Sequence, residues 1–227
     1  MSRTTPCRLR RPPLPVLAAT LALWLGFWGA AAPPPAMAAM AQDSFFQTRE
    51  YRRDNLAPFP KWTSALERYF EERGRDEGQC TDMRFNKCHW DEWKALLDQV
   101  RDQAALQQIR AVNDFFNEHP YITDPINWGV EDYWASPGQF LSRSGDCEDY
   151  AIAKYLSLRR LGWAAEDLRL VVLQDLNLRV PHAILIVTFG DRQLVLDNQI
   201  PQVVDQAAIR HYRPIYSVNE TAWWLHR

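Results

Sequence analysis

The chain has 227 residues, 47% of them hydrophobic, enough for one domain with its own core after processing. The formal net charge is −2; the first 41 residues hold Arg3, Arg8, Arg10 and Arg11 and no acid, so the remainder carries −6. No basic run survives in that remainder, which argues against nucleic acid as a partner.

Residues 1–41 read as an export signal. Arg8, Arg10 and Arg11 make a positive head, and Val16 to Ala32 is apolar. Pro33-Pro34-Pro35 breaks the run, and two A-x-A sites follow at Ala36-Met37-Ala38 and Ala39-Met40-Ala41. A spanning helix needs about 20 apolar residues, so an uncleaved anchor is the lesser reading. Either way, residues 42–227 form a domain outside the cytoplasm, with no stable membrane span after processing.

Residues 42–60 read as an extended lead-in, in which Asn55-Leu56-Ala57-Pro58-Phe59-Pro60 excludes helix. Helical spacing covers Trp62 to Arg73, and Gly74 to Cys88 is a polar loop. His89 to Glu118 carries one long amphipathic pattern, ended by His119-Pro120. Tyr121 to Ser144 reads as an irregular or partly helical connector. Helix resumes from Asp146 to about Leu161, with Gly162 as its stop. The period then changes. Leu168 to Leu173, Ala183 to Phe189 and Gln193 to Leu196 are short β-rich runs, with Gly190-Asp191 as a turn. Tyr212 to Val218 reads as the final strand. Helices first and strands second predict an α+β domain.

The chain has four cysteines. Cys7 leaves with the signal. Cys80 and Cys88 bracket a polar loop, and are read as a disulfide or two free thiols; a metal pair with His89 lacks an evident fourth ligand. Cys147 is the odd one out, and an unpaired cysteine in an exported protein is a candidate reactive thiol.

Cys147 opens a helix, where unpaired N–H groups and the helix dipole favour thiolate. His182 begins one apolar run and Asp197 ends another. Together they supply a nucleophile, a general base and acid, and a group to orient the imidazole. Each alone has a bland reading: a small buried thiol, a satisfied core histidine, a turn former. All three sit at element boundaries, where functional residues collect. Asp146, Glu148 and Asp149 crowd the same cysteine. Capping explains part of this, with Asp146 as N-cap and Asp149 reaching back to it. Three carboxylates beside a thiolate still repel it. A bound cation resolves the conflict, and calcium takes such oxygen ligands.

The run Gly145-Asp146-Cys147-Glu148-Asp149-Tyr150-Ala151, followed by His182-Ala183 and Leu196-Asp197-Asn198, resembles the bacterial transglutaminase-like cysteine proteinases of the LapG type. The resemblance covers roughly residue 45 to the end. It implies a papain-like, transglutaminase-like fold, with an N-terminal helical lobe packed on a C-terminal antiparallel sheet. It implies Cys147 as nucleophile, His182 as base and acid, and Asp197 as orienting group. It implies calcium held by Asp146 and Glu148, with Asp149 a weaker ligand. Proteinases of this type are periplasmic. They cut the N-terminal region of a large repeat-containing surface adhesin near a pair of alanines, which disperses biofilm. An inner-membrane receptor for cyclic di-GMP restrains them by sequestration through its periplasmic domain. Two rival expectations remain: acyl transfer by a transglutaminase or amidase with the same triad, and an exported binding domain without turnover.

Overall fold

The computed structural model describes residues 44–227 except Asp76. The expected export signal lies outside the described residues. Among these, no helix is long and apolar enough to cross a membrane.

Among the described residues, six α-helices and seven strands follow the predicted order of helix then sheet, with one exception at the start. Strand β1 (Glu50–Arg53) precedes the helices α1 (Pro60–Glu72), α2 (Lys87–Val100), α3 (Ala105–Asn117), α4 (Asp124–Asn127), α5 (Pro137–Arg143) and α6 (Cys147–Arg160). Strands β2 (Leu168–Asp175), β3 (Val180–Phe189), β4 (Arg192–Leu196), β5 (Val204–Asp205), β6 (Tyr212–Val218) and β7 (Trp223–His226) complete the chain. The sheet order is β1-β7-β6-β2-β3-β4-β5 and each pairing is antiparallel.

Two expectations need correction. The single pattern over His89 to Glu118 is two helices, because Arg101 to Ala104 form a turn between α2 and α3. Both helices keep one apolar stripe, with Trp90, Trp93 and Leu97 on the first and Ile109, Val112 and Phe116 on the second. An antiparallel return preserves the periodicity while reversing the chain, so the stripe alone cannot reveal the break. The second correction concerns Tyr212 to Val218, which is not the last strand. Strand β7 follows and pairs with both β6 and β1, so part of the lead-in joins the sheet.

Sheet alternation divides the core. Leu168, Leu170, Leu185, Val187, Leu194 and Leu196 face the helices and pack with Ile152, Tyr155 and Leu156 of α6. Val171, Leu173, Ile184, Ile186 and Val195 face the other way, beneath Phe45, Ile209 and Tyr212. Helix α6 is buried at every position from Asp149 to Leu158. Its first turn is thereby pinned against the start of β3. Gly162 follows it at φ 99°, the left-handed stop expected of a helix end. Cys80 and Cys88 form a disulfide across the loop before α2.

Candidate active site and acidic cluster

Asp146 is the N-cap of α6, and Asp149 at its third helical position accepts the Asp146 N–H at 3.3 Å. Asp149 is fully buried, and its other oxygen accepts the Ala135 N–H at 2.6 Å. Gly145 is required by this packing, since a Cβ there would sit 2.1 Å from Asp149 Oδ2. Ser144 precedes it at φ 62°, a conformation that costs a non-glycine residue about 1–3 kcal/mol and that neighbouring contacts must hold. Asn127 Nδ2 does so by donating to Ser144 O at 3.1 Å. The turn thus presents Cys147 in the first turn of a rigid helix.

His182 lies near the start of β3 and is 2% exposed. Strand β4 runs antiparallel beside it in the register Leu185↔Leu196, so Asp197 emerges next to the imidazole. His182 Nε2 lies 2.9 Å from Asp197 Oδ1. Asp197 also accepts the Tyr212 hydroxyl at 2.6 Å and the Gln199 N–H at 2.8 Å. Burial alone would raise the Asp197 carboxyl, but the bonds from His182, Tyr212 and Gln199 outweigh it and hold it below the ordinary value. An ionised Asp197 fixes the tautomer: Nε2 carries the proton and Nδ1 presents a lone pair. The Gln199 side-chain amide stands 3.3 Å from that Nδ1.

Cys147 and His182 line one open cleft of about 380 Å³, together with Ala183, Trp134, Tyr121 and Tyr216. A larger cavity of about 530 Å³ lies around Phe46 and Arg210 and is lined by neither cysteine nor histidine. In the cleft the Cys147 Sγ is 3.2 Å from Glu148 Oε2. Burial, then the Glu148 and Asp146 carboxylates, push this thiol well above its usual value. The helix-start thiolate expected from the sequence therefore meets opposition from its own neighbours. The dipole is present, but two adjacent acids and burial oppose it.

The acids form a wider cluster than the sequence suggested. Ligand oxygens of Asp124, Asp146 and Asp149 lie within 4.8 Å of one another, as do those of Asp124, Asp132 and Glu148. Asp124 is fully buried, and Asp124 Oδ1 and Asp146 Oδ1 have no hydrogen-bond partner. The other oxygen of each accepts a backbone N–H, from Tyr133 and Asp124 respectively. Burial raises the Asp124 carboxyl to about 6, and burial with the Asp146 charge raises Glu148 to about 8. Orphaned buried oxygens among crowded carboxyls fit a hard cation such as calcium. Asp124 and Asp132 would then join Asp146 and Glu148, while Asp149 already spends both oxygens on backbone N–H groups. Sequence reasoning missed Asp124 and Asp132. Both sit in the irregular connector, where no period reports burial; Asp124-Pro125 reads as a turn start and nothing more.

A family model described as bacterial transglutaminase-like cysteine proteinase BTLCP matches residues 77–226. The chain belongs to this family. Among solved structures, Legionella pneumophila LapG is 30% identical with a TM-score of 0.58, covering 71% of this chain and 87% of that one. A calcium-bound form of that protein is 29% identical, with the same TM-score, covering 72% of this chain and 87% of that one. An EGTA-treated form is 30% identical with a TM-score of 0.58 and covers 72% and 86%. No curated protein sequence matches the chain. The transglutaminase-like proteinase fold expected from the Gly145 to Ala151 run is thus the fold of this chain, with helices packed on an antiparallel sheet.

Proposed function

We propose that this family member is a calcium-dependent cysteine endopeptidase with Cys147 as nucleophile, His182 as base and acid, and Asp197 as orienting group. The observation that carries the reading is the shared cleft: the Cys147 thiol faces it from the start of α6 and the Asp197-bound imidazole faces it from β3. Asp197 occupies Nε2, so Nδ1 is the nitrogen that takes the Cys147 proton. The sulfur then attacks the scissile carbonyl carbon, and the backbone N–H of Cys147 donates to the oxygen as charge builds on it. The imidazolium returns its proton to the leaving amine as the C–N bond breaks. Water, losing a proton to Nδ1, attacks the thioester, and collapse releases the acid and the thiol. Calcium, when bound by Asp124, Asp132, Asp146 and Glu148, supplies positive charge that offsets the carboxylates opposing a thiolate at Cys147.

The substrate and control implied by the resemblance belong to the same proposal. The enzyme acts in the periplasm on the N-terminal region of a large repeat-containing adhesin, near a di-alanine site. A cyclic di-GMP-responsive inner-membrane receptor sequesters it, and its release promotes biofilm dispersal. The arginine-headed, alanine-ending N-terminus supports export. The calcium-bound and EGTA-treated forms of Legionella LapG support the cation.

The test is cleavage of an adhesin N-terminal fragment, read by product mass. Wild type should give two fragments with a new amine terminus. Cys147→Ala should abolish cleavage while keeping the wild-type melting temperature within a few degrees. An isopeptide-linked product would replace hydrolysis with acyl transfer, and unchanged cleavage by Cys147→Ala would remove that sulfur from the chemistry.

A further inference from the structure

The loop closed by Cys80 and Cys88 plays no part in the chemistry above, yet it builds one wall of a second cavity. Met83 and Arg84 from that loop face Arg68 and Arg75 of the α1 region, and Arg143 and Trp128 close the far side, around about 380 Å³. Asn86 N–H donates to Ser142 Oγ at 2.7 Å and Arg143 Nε donates to Met83 O at 2.9 Å, which seats the loop on α5. Four guanidinium groups thus converge in a chain whose exported part carries net negative charge.

Among the described residues, none of the four guanidinium groups forms an ion pair with a carboxylate. Arg68 donates to Ser64, Gln139 and Trp134 O, and Arg143 to Met83 O and Asn127 O, all of them neutral oxygens. Such bonds fix the groups in place without cancelling their charge. Three guanidiniums lie instead against aromatic faces: Arg143 at 4.6 Å from the Trp128 ring, Arg68 at 5.0 Å from Tyr133 and Arg75 at 5.2 Å from Phe85. Arg75 and Arg84 are exposed, and their side chains form no hydrogen bond with the described residues, which leaves their donor forks open to a ligand. The buried Trp128 Nε1 has no acceptor either. Glu71 and the buried Glu72 are the acids among the lining residues, against four arginines, and Arg68 and Arg75 both act on the Glu72 carboxyl.

We propose that this arginine cavity is a docking site for an acidic stretch of polypeptide, whose carboxylates engage Arg75 and Arg84 over a floor fixed by Arg68 and Arg143. Guanidinium forks match carboxylates in a bidentate geometry, and stacking on aromatic faces preorganises them. The choice of polypeptide as occupant rests on the peptidase reading. The segment from Trp128 to Trp134 forms the rim between this cavity and the cleft, with Trp128 on one and Asp132 and Trp134 on the other. A chain lying across that rim would reach both.

The test is titration of labelled octaglutamate into the full chain by fluorescence anisotropy, with inorganic sulfate as competitor. Saturable binding should weaken with salt, as charge pairing requires. The Arg75→Gln/Arg84→Gln double variant should lose at least tenfold in affinity, and Glu71→Lys should gain. Cys147→Ala should bind as wild type does, so a wild-type chain that binds the peptide yet cuts no adhesin fragment would count against the peptidase reading and not against this site. Absence of saturable binding, or equal binding by the double variant, would overturn the site. Sulfate matching the peptide at equal charge concentration would reassign the cavity to free anions and overturn the polypeptide occupant.

Discussion

At the residue scale, the site is organised by groups that never reach the cleft. Tyr212 lies beside His182, ring centroids 5.7 Å apart, and its hydroxyl satisfies Asp197 Oδ2 while the imidazole engages Oδ1. Tyr212→Phe leaves a buried carboxylate oxygen without its donor, which costs about 1–3 kcal/mol in stability. It should also lower kcat about tenfold, the equivalent of about 1.4 kcal/mol in the transition state. Thermal unfolding and steady-state kinetics check both, and an unchanged kcat would show that the Gln199 N–H alone suffices to hold Asp197. Gly145→Ala acts at the other end of the site. Its Cβ would fall 2.1 Å from Asp149 Oδ2, so the buried carboxylate must leave the Asp146 and Ala135 N–H groups it now accepts. The expected result is a stability loss beyond about 3 kcal/mol with loss of cleavage, measured by denaturant unfolding; a variant as stable as wild type would mean the α6 entrance tolerates a shift.

At the element scale, one buried cation ties three elements together. Lys154, fully buried in α6, donates to Asn113 Oδ1 at 2.9 Å and Asn117 Oδ1 at 2.7 Å in α3. Those amides in turn donate to Pro201 O and Asp197 O, both at 2.8 Å. The helix of Cys147 and the loop of Asp197 are therefore braced through α3. Burial lowers the Lys154 ammonium to about 7, against about 10.4 in an unfolded chain. Between those values the unfolded state binds more protons, so this group's contribution to stability rises with pH from about 7 to about 10. Below about 7 the full penalty of a buried charge applies. The unfolding free energy of wild type minus that of Lys154→Met should climb across that window, at a slope approaching about 1.4 kcal/mol per pH unit. A flat difference would mean that the two asparagines fully compensate the charge. None of this bracing was legible in the sequence. Element types were legible where a local signal carried them, the capping acids and the Gly162 stop for α6 and the β-rich runs for strands β2 to β4. The α2–α3 break was not, since an antiparallel return keeps the stripe, and β7 was not, since four residues carry too little alternation. Cys147, His182 and Asp197 stood out because each sits at a change of pattern. Asp124 and Tyr212 did not, because a buried carboxyl in a connector and a tyrosine opening a strand look like any others until the fold brings them to the site.

At the scale of the whole molecule, calcium binding by the acidic cluster, as proposed above, predicts a stability that depends on calcium and on pH together. Without a cation, Asp124 titrates at about 6 and Glu148 at about 8, both raised by burial above the ordinary range near 4. Groups raised in this way stabilise the folded state at low pH. That contribution fades as pH climbs from about 4 through about 6 for Asp124 and through about 8 for Glu148. Bound calcium reverses the sense, because it needs the ionised carboxylates that the metal-free fold disfavours, and it competes with their protons. The calcium-induced rise in melting temperature should therefore grow between pH 5 and pH 8, while the chelated protein loses stability over the same range. Calcium at one hundred times its dissociation constant stabilises by about 2.7 kcal/mol, and Asp124→Asn should shrink the shift while also abolishing most of its pH dependence below about pH 7. Differential scanning fluorimetry with and without EGTA at pH 5.5, 7 and 8.5 decides the matter. A calcium increment that is absent, or constant across those three values, would separate the cluster from the cation and leave the acids as helix caps alone.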